Sequence, residues 1–213
     1  MRMRKKKNSE KRIQSCAALL DWETMFAENK TVHLEIGCGK GDFICAMAQK
    51  FPGINFVAVE KITDVIVTAA EKAKNANLPN VRYFIADAKN LADFFGAGTI
   101  SAIYLNFSDP WHKRYQHSKR LSSEKFLEVY KKILKPEAKI ILKTDNRDFF
   151  DFSAKSLSVN GFIVENKTYD LYKSAFFDPE DNIQTEYEKN FTAQNIPICY
   201  LEAVWKKNPP VAT

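Results

Sequence analysis

The sequence predicts an α/β fold in which a mostly parallel sheet is covered by helices on both faces. Three observations predict it: strand-like and helix-like patterns alternate along the chain, the early strands are nearly uninterrupted apolar runs, and no repeat or Gly/Ser linker interrupts the alternation. The 213 residues suffice for one sizeable core and are short for two.

Taken in order, residues 15–29 read as a helix, 31–36 as a strand and 37–41 as a glycine turn. Residues 42–50 read as a helix stopped by Pro52-Gly53, and the branched and aromatic run 54–59 as a buried strand. Ile62, Val65, Ile66, Ala69, Ala70 and Ala73 fall at helical spacing, and Pro79-Asn80 marks the following loop. Strands are expected at 81–85 and 100–107. Ser122 is placed to cap a helix whose apolar face is Phe126, Leu127, Tyr130, Ile133 and Leu134, ending before Pro136. Residues 139–143 read as a strand, 149–157 as a helix closed near Gly161, 162–164 as a strand onset and 198–205 as the last strand. The long connection over 170–197 is expected to be functional. This divides the chain into a basic arm (1–14), a single domain (15–207) and a short tail (208–213).

Charge is unevenly placed. The net charge is +6, and residues 1–12 hold Arg2, Arg4, Lys5, Lys6, Lys7, Lys11 and Arg12 against Glu10, so the remainder is neutral overall. Such an arm has little to bury and suits phosphates, although it also reads as a solubilising tail. A second basic stretch, 111–120, carries Lys113, Arg114, Lys119 and Arg120 with Trp111 and Tyr115 interleaved and no acid. Cations beside rings that stack on bases suit an RNA-binding loop. No run approaches the ~20 apolar residues of a membrane span, and no secretory signal is read, so a cytoplasmic location is expected. The four cysteines are scattered without a C-x-x-C pair, which argues for reduced thiols and against a metal site.

In such sheets ligands bind outside the carboxyl ends of the strands. The first strand ends in Glu35-Ile36-Gly37-Cys38-Gly39-Lys40-Gly41-Asp42, where Gly37, Gly39 and Gly41 permit a tight turn and close approach to the backbone. A dinucleotide fingerprint would need glycine where Asp42 stands, which argues against a nicotinamide dehydrogenase. Acids on both sides of the turn suit a cationic ligand. Glu60, roughly twenty positions on, ends the second strand and can accept both hydroxyls of a ribose. Asp87 follows the third strand, where an adenine amino group could donate. Together these describe a pocket for S-adenosyl-L-methionine.

The fourth strand runs into Asn106-Phe107-Ser108-Asp109-Pro110-Trp111-His112-Lys113-Arg114. Here the sequence resembles the tRNA (guanine-N7-)-methyltransferases over nearly the whole chain. The resemblance includes Met1-Arg2-Met3-Arg4, the glycine turn, Lys143-Thr144-Asp145-Asn146 and Thr185-Glu186-Tyr187-Glu188. It implies a Rossmann-like class I fold with a seven-stranded sheet, and transfer of a methyl group to a tRNA guanine without a metal. It further implies that Glu35, Glu60, Asp87 and Asp109 hold the donor, with Asp109 also the catalytic candidate. Lys113, Asp145, Thr185, Glu186, Tyr187 and Glu188 are the implied substrate contacts. Arg114, Lys119, Arg120 and the arm residues Arg2, Arg4, Lys5, Lys6 and Lys7 are expected on RNA. A monomer or homodimer, with no obligatory protein partner and no membrane, is expected. His112 stands where the family usually has proline, and Tyr115-Gln116-His117-Ser118 replaces a more basic stretch.

Two other readings compete. Methylation of an exocyclic amine would call for a D/N-P-P-aromatic motif, which Asp109-Pro110-Trp111 matches poorly. A non-catalytic RNA-binding protein would have no need of the four acids.

Overall fold

The structure, a computed structural model, describes residues 12, 14–16, 19 and 31–206. Arg2, Arg4, Lys5, Lys6, Lys7, most of the expected helix over 15–29 and the tail lie outside the described residues. The chain forms two compact units, Met1–Asp87 and Ala88–Thr213. The seven strands run in the order β3-β2-β1-β4-β5-β7-β6.

The first unit comprises β1 (Val32–Ile36), α1 (Asp42–Lys50), β2 (Asn55–Glu60), α2 (Thr63–Asn75) and β3 (Val81–Ile85). Its strands are parallel, and β2 is buried at every position except Glu60. Helices α1 and α2 bury stripes of residues at helical spacing, among them Ile44, Met47 and Ala48 on α1 and Ile66, Ala69, Ala70 and Ala73 on α2. The small residues of α2 permit close packing: a Cβ on Gly41 would lie 2.6 Å from Ala69 Cβ. Buried Asn80 donates from Nδ2 to the carbonyls of Ala48, Phe51 and Ile54, which fixes the exit from α1. Arg12 reaches α2 through a two-pronged bond to Glu71, 2.7 Å from Nε and 2.6 Å from Nη2.

The second unit comprises β4 (Ile100–Asn106), α3 (Glu124–Ile133), β5 (Leu134–Thr144), α4 (Arg147–Val159), β6 (Phe162–Thr168), α5 (Glu186–Thr192) and β7 (Cys199–Trp205), with 3-10 turns at Ala88–Asp93, Arg114–Lys119 and Leu171–Lys173. Strands β4 and β5 are parallel, while β7 runs antiparallel to both β5 and β6. Helix α3 buries Phe126, Leu127, Tyr130 and Ile133. Each contributes roughly 1.5–3 kcal/mol of apolar transfer, so this face outweighs any cap.

Several expectations are corrected. The N-cap position of α3 is Ser123, not Ser122, and neither hydroxyl caps the helix: Ser122 is buried 2.6 Å from Ser153 Oγ, and Ser123 donates to the Ser118 carbonyl at 3.0 Å. Strand β5 begins at Leu134, well before Lys139, because Leu134 pairs with Ile100. Strand β6 continues through Glu165, Asn166 and Lys167, whose exposure at the sheet edge hides the strand from an apolar reading. Helix α5 was not expected within the connection over 170–197.

Candidate active site

In the first unit the parallel register pairs Ile36 with Val59 and Glu60 with Ile85. Glu35, Glu60 and Asp87 therefore stand at the carboxyl ends of three neighbouring strands. Glu35 is buried and Asp87 exposed. The glycine turn is stitched to β2 by bonds from the Gly37 and Cys38 amides to the Val59 carbonyl, 2.8 and 3.2 Å. Gly37, at φ 78°, needs the left-handed region, and a Cβ there or on Gly39 would meet nothing within 4 Å. The turn thus leaves room for a ligand against its backbone.

Glu60 Oε1 accepts from the amides of Lys61 and Ile62 at 2.8 and 3.1 Å, so one carboxylate oxygen orders its own loop. Ile62 and Ile85, on either side of this tip in sequence and pairing, are large apolar residues left exposed. They fit a planar apolar group. The residue types suit an adenosyl sulfonium: an open backbone cradle, carboxylates of the sign a cation needs, and apolar surface beside them. Asp42, expected to face the same ligand, instead bonds Lys72 at 2.6 Å. Burial, aided by the fields of Glu35 and Glu60, pushes the Cys38 thiol well above its usual range.

In the second unit the register pairs Asn106 with Lys143, and the Phe107 amide bonds the Lys143 carbonyl at 2.8 Å. The loop carrying Asp109 and the residue Asp145 thereby follow the tips of adjacent strands. Phe107 and Trp111 hold φ of 50° and 43°. A left-handed conformation is costly for bulky side chains, about 1–3 kcal/mol each, and persists only where the surroundings impose it. Ser108 Oγ is buried with no hydrogen-bond partner among the described residues.

Two of the expected substrate contacts turn inward. Thr185 Oγ1 accepts from the Glu188 amide at 2.9 Å and caps α5. Glu188 is 0% exposed, and its carboxylate takes Lys143 Nζ at 3.0 Å, Tyr172 Oη at 2.9 Å and Asn182 Nδ2 at 3.0 Å. Burial lowers the Lys143 pKa, and Glu188 opposes that shift. Between them in α5, Glu186 is exposed and Tyr187 stands 62% exposed, its ring stacked on Phe107 at 6.2 Å and 26°. Phe107 is stacked on its own account with Phe191, at 5.7 Å. The network through Lys143, Tyr172, Asn182 and Gln184 was not anticipated from sequence, but the Thr-x-x-Glu spacing of a capping box was a readable signal for α5.

The basic loop separates into two groups. Lys113, Arg114, Tyr115 and Lys119 are exposed, with Lys119 Nζ 4.8 Å from the Trp111 ring centroid. Arg120, expected on RNA, is only 2% exposed. Its Nε donates to the Pro110 carbonyl at 2.7 Å, and its guanidinium lies 4.6 Å from the Phe152 ring. Burial lowers its pKa, against the pull of Asp148. The cause of this burial is packing: the α4 aromatics Phe149 and Phe152 enclose a side chain that composition alone assigns to solvent.

Among the described residues the cysteines are free, no acid–thiol–imidazole cluster could hold a metal, and no helix is long and apolar enough to cross a membrane. The strand order is that of the Rossmann-like class I methyltransferase fold. A family model described as "Putative methyltransferase" matches residues 29–201. The chain is similar in fold to a 16S rRNA methyltransferase, KamB, with TM-score 0.65 at 16% identity, covering 87% of this chain and 93% of that one. It is 42% identical over 185 residues to the tRNA (guanine-N(7)-)-methyltransferase of Bacillus velezensis, covering 87% of this chain and 84% of the relative. The protein of the same name from Geobacillus thermodenitrificans is 43% identical over 183 residues, covering 86% and 83%. The chain belongs to the tRNA (guanine-N7-)-methyltransferase family.

Proposed function

We propose that the enzyme transfers a methyl group from S-adenosyl-L-methionine to N7 of a guanosine in the variable loop of cytoplasmic tRNA. The observation that carries this reading is the 42% identity, over 84% of its length, to a relative named for that reaction. The disposition of carboxylates and rings is consistent with it.

Bound to this chain, S-adenosylmethionine would supply an electrophilic methyl group on a positively charged sulfur. Glu35 and the turn at Gly37, Gly39 and Gly41 would hold its amino-acid end. Glu60 would accept from ribose hydroxyls, Asp87 from the adenine amino group, and Ile62 and Ile85 would flank the ring. Asp109 would stand at the reacting centre, contacting donor and base.

Guanine N7 has a lone pair and no proton, so no general base is needed. What the protein must supply is alignment, worth ~7–11 kcal/mol of a barrier, and tolerance of the charge arriving on the imidazole ring. A carboxylate about 4 Å away contributes at most ~4 kcal/mol at an effective dielectric of about 20, so alignment dominates. Asp145 would accept from the N1 and N2 hydrogens of guanine. Adenine offers the wrong donor pattern there and would leave the acid unpaired. Glu188 is committed to Lys143, so its part is to set α5, from which Tyr187 would stack on the extruded base. Lys113, Arg114 and Lys119 would meet phosphates.

The test is to incubate the protein with unmodified tRNA and radiolabelled donor and to identify the modified nucleoside. Label in N7-methylguanosine supports the reading. Label in an amino-methylated base would move the chemistry to an exocyclic amine, and absence of label would leave an RNA-binding protein.

A further inference from the structure

The loop that carries Asp109 is held in a costly shape, with Phe107 and Trp111 both at positive φ. Something must oppose its relaxation. Two of its carbonyls face one side chain: Arg120 Nε donates to the Pro110 carbonyl at 2.7 Å, and Nη2 lies 3.5 Å from the Trp111 carbonyl. The guanidinium sits 4.6 Å from the Phe152 centroid and 5.7 Å from that of Phe149. At 2% exposure it has no face left for phosphate. Its backbone is fixed in turn, with the Arg120 amide donating to the His117 carbonyl and the Ser123 amide donating to the Arg120 carbonyl.

We infer that Arg120 is a positioning residue, a buried clamp that holds the Asp109 loop in its reactive shape, and not an RNA contact. A planar fork is what the site requires: one edge bonds carbonyls while the face lies on rings. Lysine keeps the charge but offers neither the fork nor the stacking plane. The role rests on the assignment of Asp109 to the reaction centre made above.

The test compares Arg120→Lys and Arg120→Gln with Phe152→Leu, which removes the ring beneath the guanidinium but leaves the arginine. Both Arg120 variants are expected to lower kcat by tenfold or more, and any loss of donor affinity should be the smaller effect. The dependence of log Kd for tRNA on log salt should keep its slope in both. Trypsin should nick the loop after Lys113 or Arg114 faster, by about tenfold in the Arg120 variants and less in Phe152→Leu.

Two results would overturn the clamp. In one, Arg120→Gln flattens the salt slope by the ~0.7–0.9 expected of a lost phosphate contact while lysine restores slope and rate. In the other, cleavage is unchanged in all three variants. Should both Arg120 variants fail to fold, cleavage of Phe152→Leu decides. A wild-type protein that makes no N7-methylguanosine would overturn the assigned reaction, while the trypsin and salt readings would still judge the clamp.

Discussion

Lys143 Nζ lies 3.0 Å from Glu188 Oε2 with the two residues 5% and 0% exposed, a buried ion pair that ties the end of β5 to α5. The pair joins two short motifs of the sequence, and its consequence is geometric. It fixes the helix from which Tyr187 projects and stacks on Phe107.

Breaking such a pair from one side strands a charge, at a cost of about 3–5 kcal/mol, whereas replacing both partners by apolar groups is often neutral. Glu188→Ala should therefore lower unfolding free energy in urea by that amount. The double change Lys143→Met with Glu188→Leu should recover most of it without recovering activity. A loss below about 1 kcal/mol for the single change would mean that the pair is solvated in the folded protein.

Alkaline pH should weaken the same cluster. Burial, with Glu188 adding to it, pushes the Tyr172 phenol up to about 12, while Gln184 and Asn182 pull the other way. The folded pKa is raised, so this contribution is complete below the unfolded value of about 10 and is lost as pH rises to about 12. Chemical denaturation across that window should show falling stability, with a shallower fall in Tyr172→Phe. An identical slope in the variant would contradict the assignment.

Two glycines of the turn should fail differently. Gly41→Ala places a Cβ 2.6 Å from Ala69 Cβ at φ 78°. It should cost about 1–3 kcal/mol of overpacking beyond a left-handed penalty of ~1–2 kcal/mol. Gly37→Ala meets nothing within 4 Å, so it should bear the left-handed penalty alone. It should nevertheless weaken donor binding tenfold or more, because its methyl fills the space the ligand needs. Melting curves and calorimetric titration with the donor separate the two; equal donor affinity in Gly37→Ala and wild type would argue against the cradle.

Asp145→Ala should lower turnover by about 10–100-fold, the range for a lost charge-assisted hydrogen bond, and leave donor affinity nearly unchanged. A parallel fall in donor binding would place Asp145 with the donor residues instead.

Much of this was legible in the sequence, for identifiable reasons. Strands β1 and β2 are parallel and almost wholly buried, so they read as apolar runs, and the observed limits of β1 to β4 differ from the expected ones by a residue or so. The tip acids and the glycine turn were legible because backbone geometry forces both into fixed places beside a strand. The pairing of Lys143 with Glu188 was not, since 45 positions separate two polar residues that carry no periodic signal. The burial of Arg120 was not legible because a guanidinium among lysines looks solvated until α4 supplies the rings that cover it. Ser122 and Ser123 offer the same cap chemistry in sequence, but the Ser153 hydroxyl draws in the first and the Ser118 carbonyl takes the second, so neither bonds the helix end.

In the reaction proposed above, an unassisted imidazole nitrogen of guanine attacks the methyl group. The most direct measurement uses a tRNA transcript built with 7-deazaguanosine, in which that nitrogen is replaced by C–H, alongside the ordinary transcript. The altered tRNA should still compete for binding and take up no label, whereas the ordinary one is labelled. Label on the 7-deaza transcript at a comparable rate would contradict that reaction.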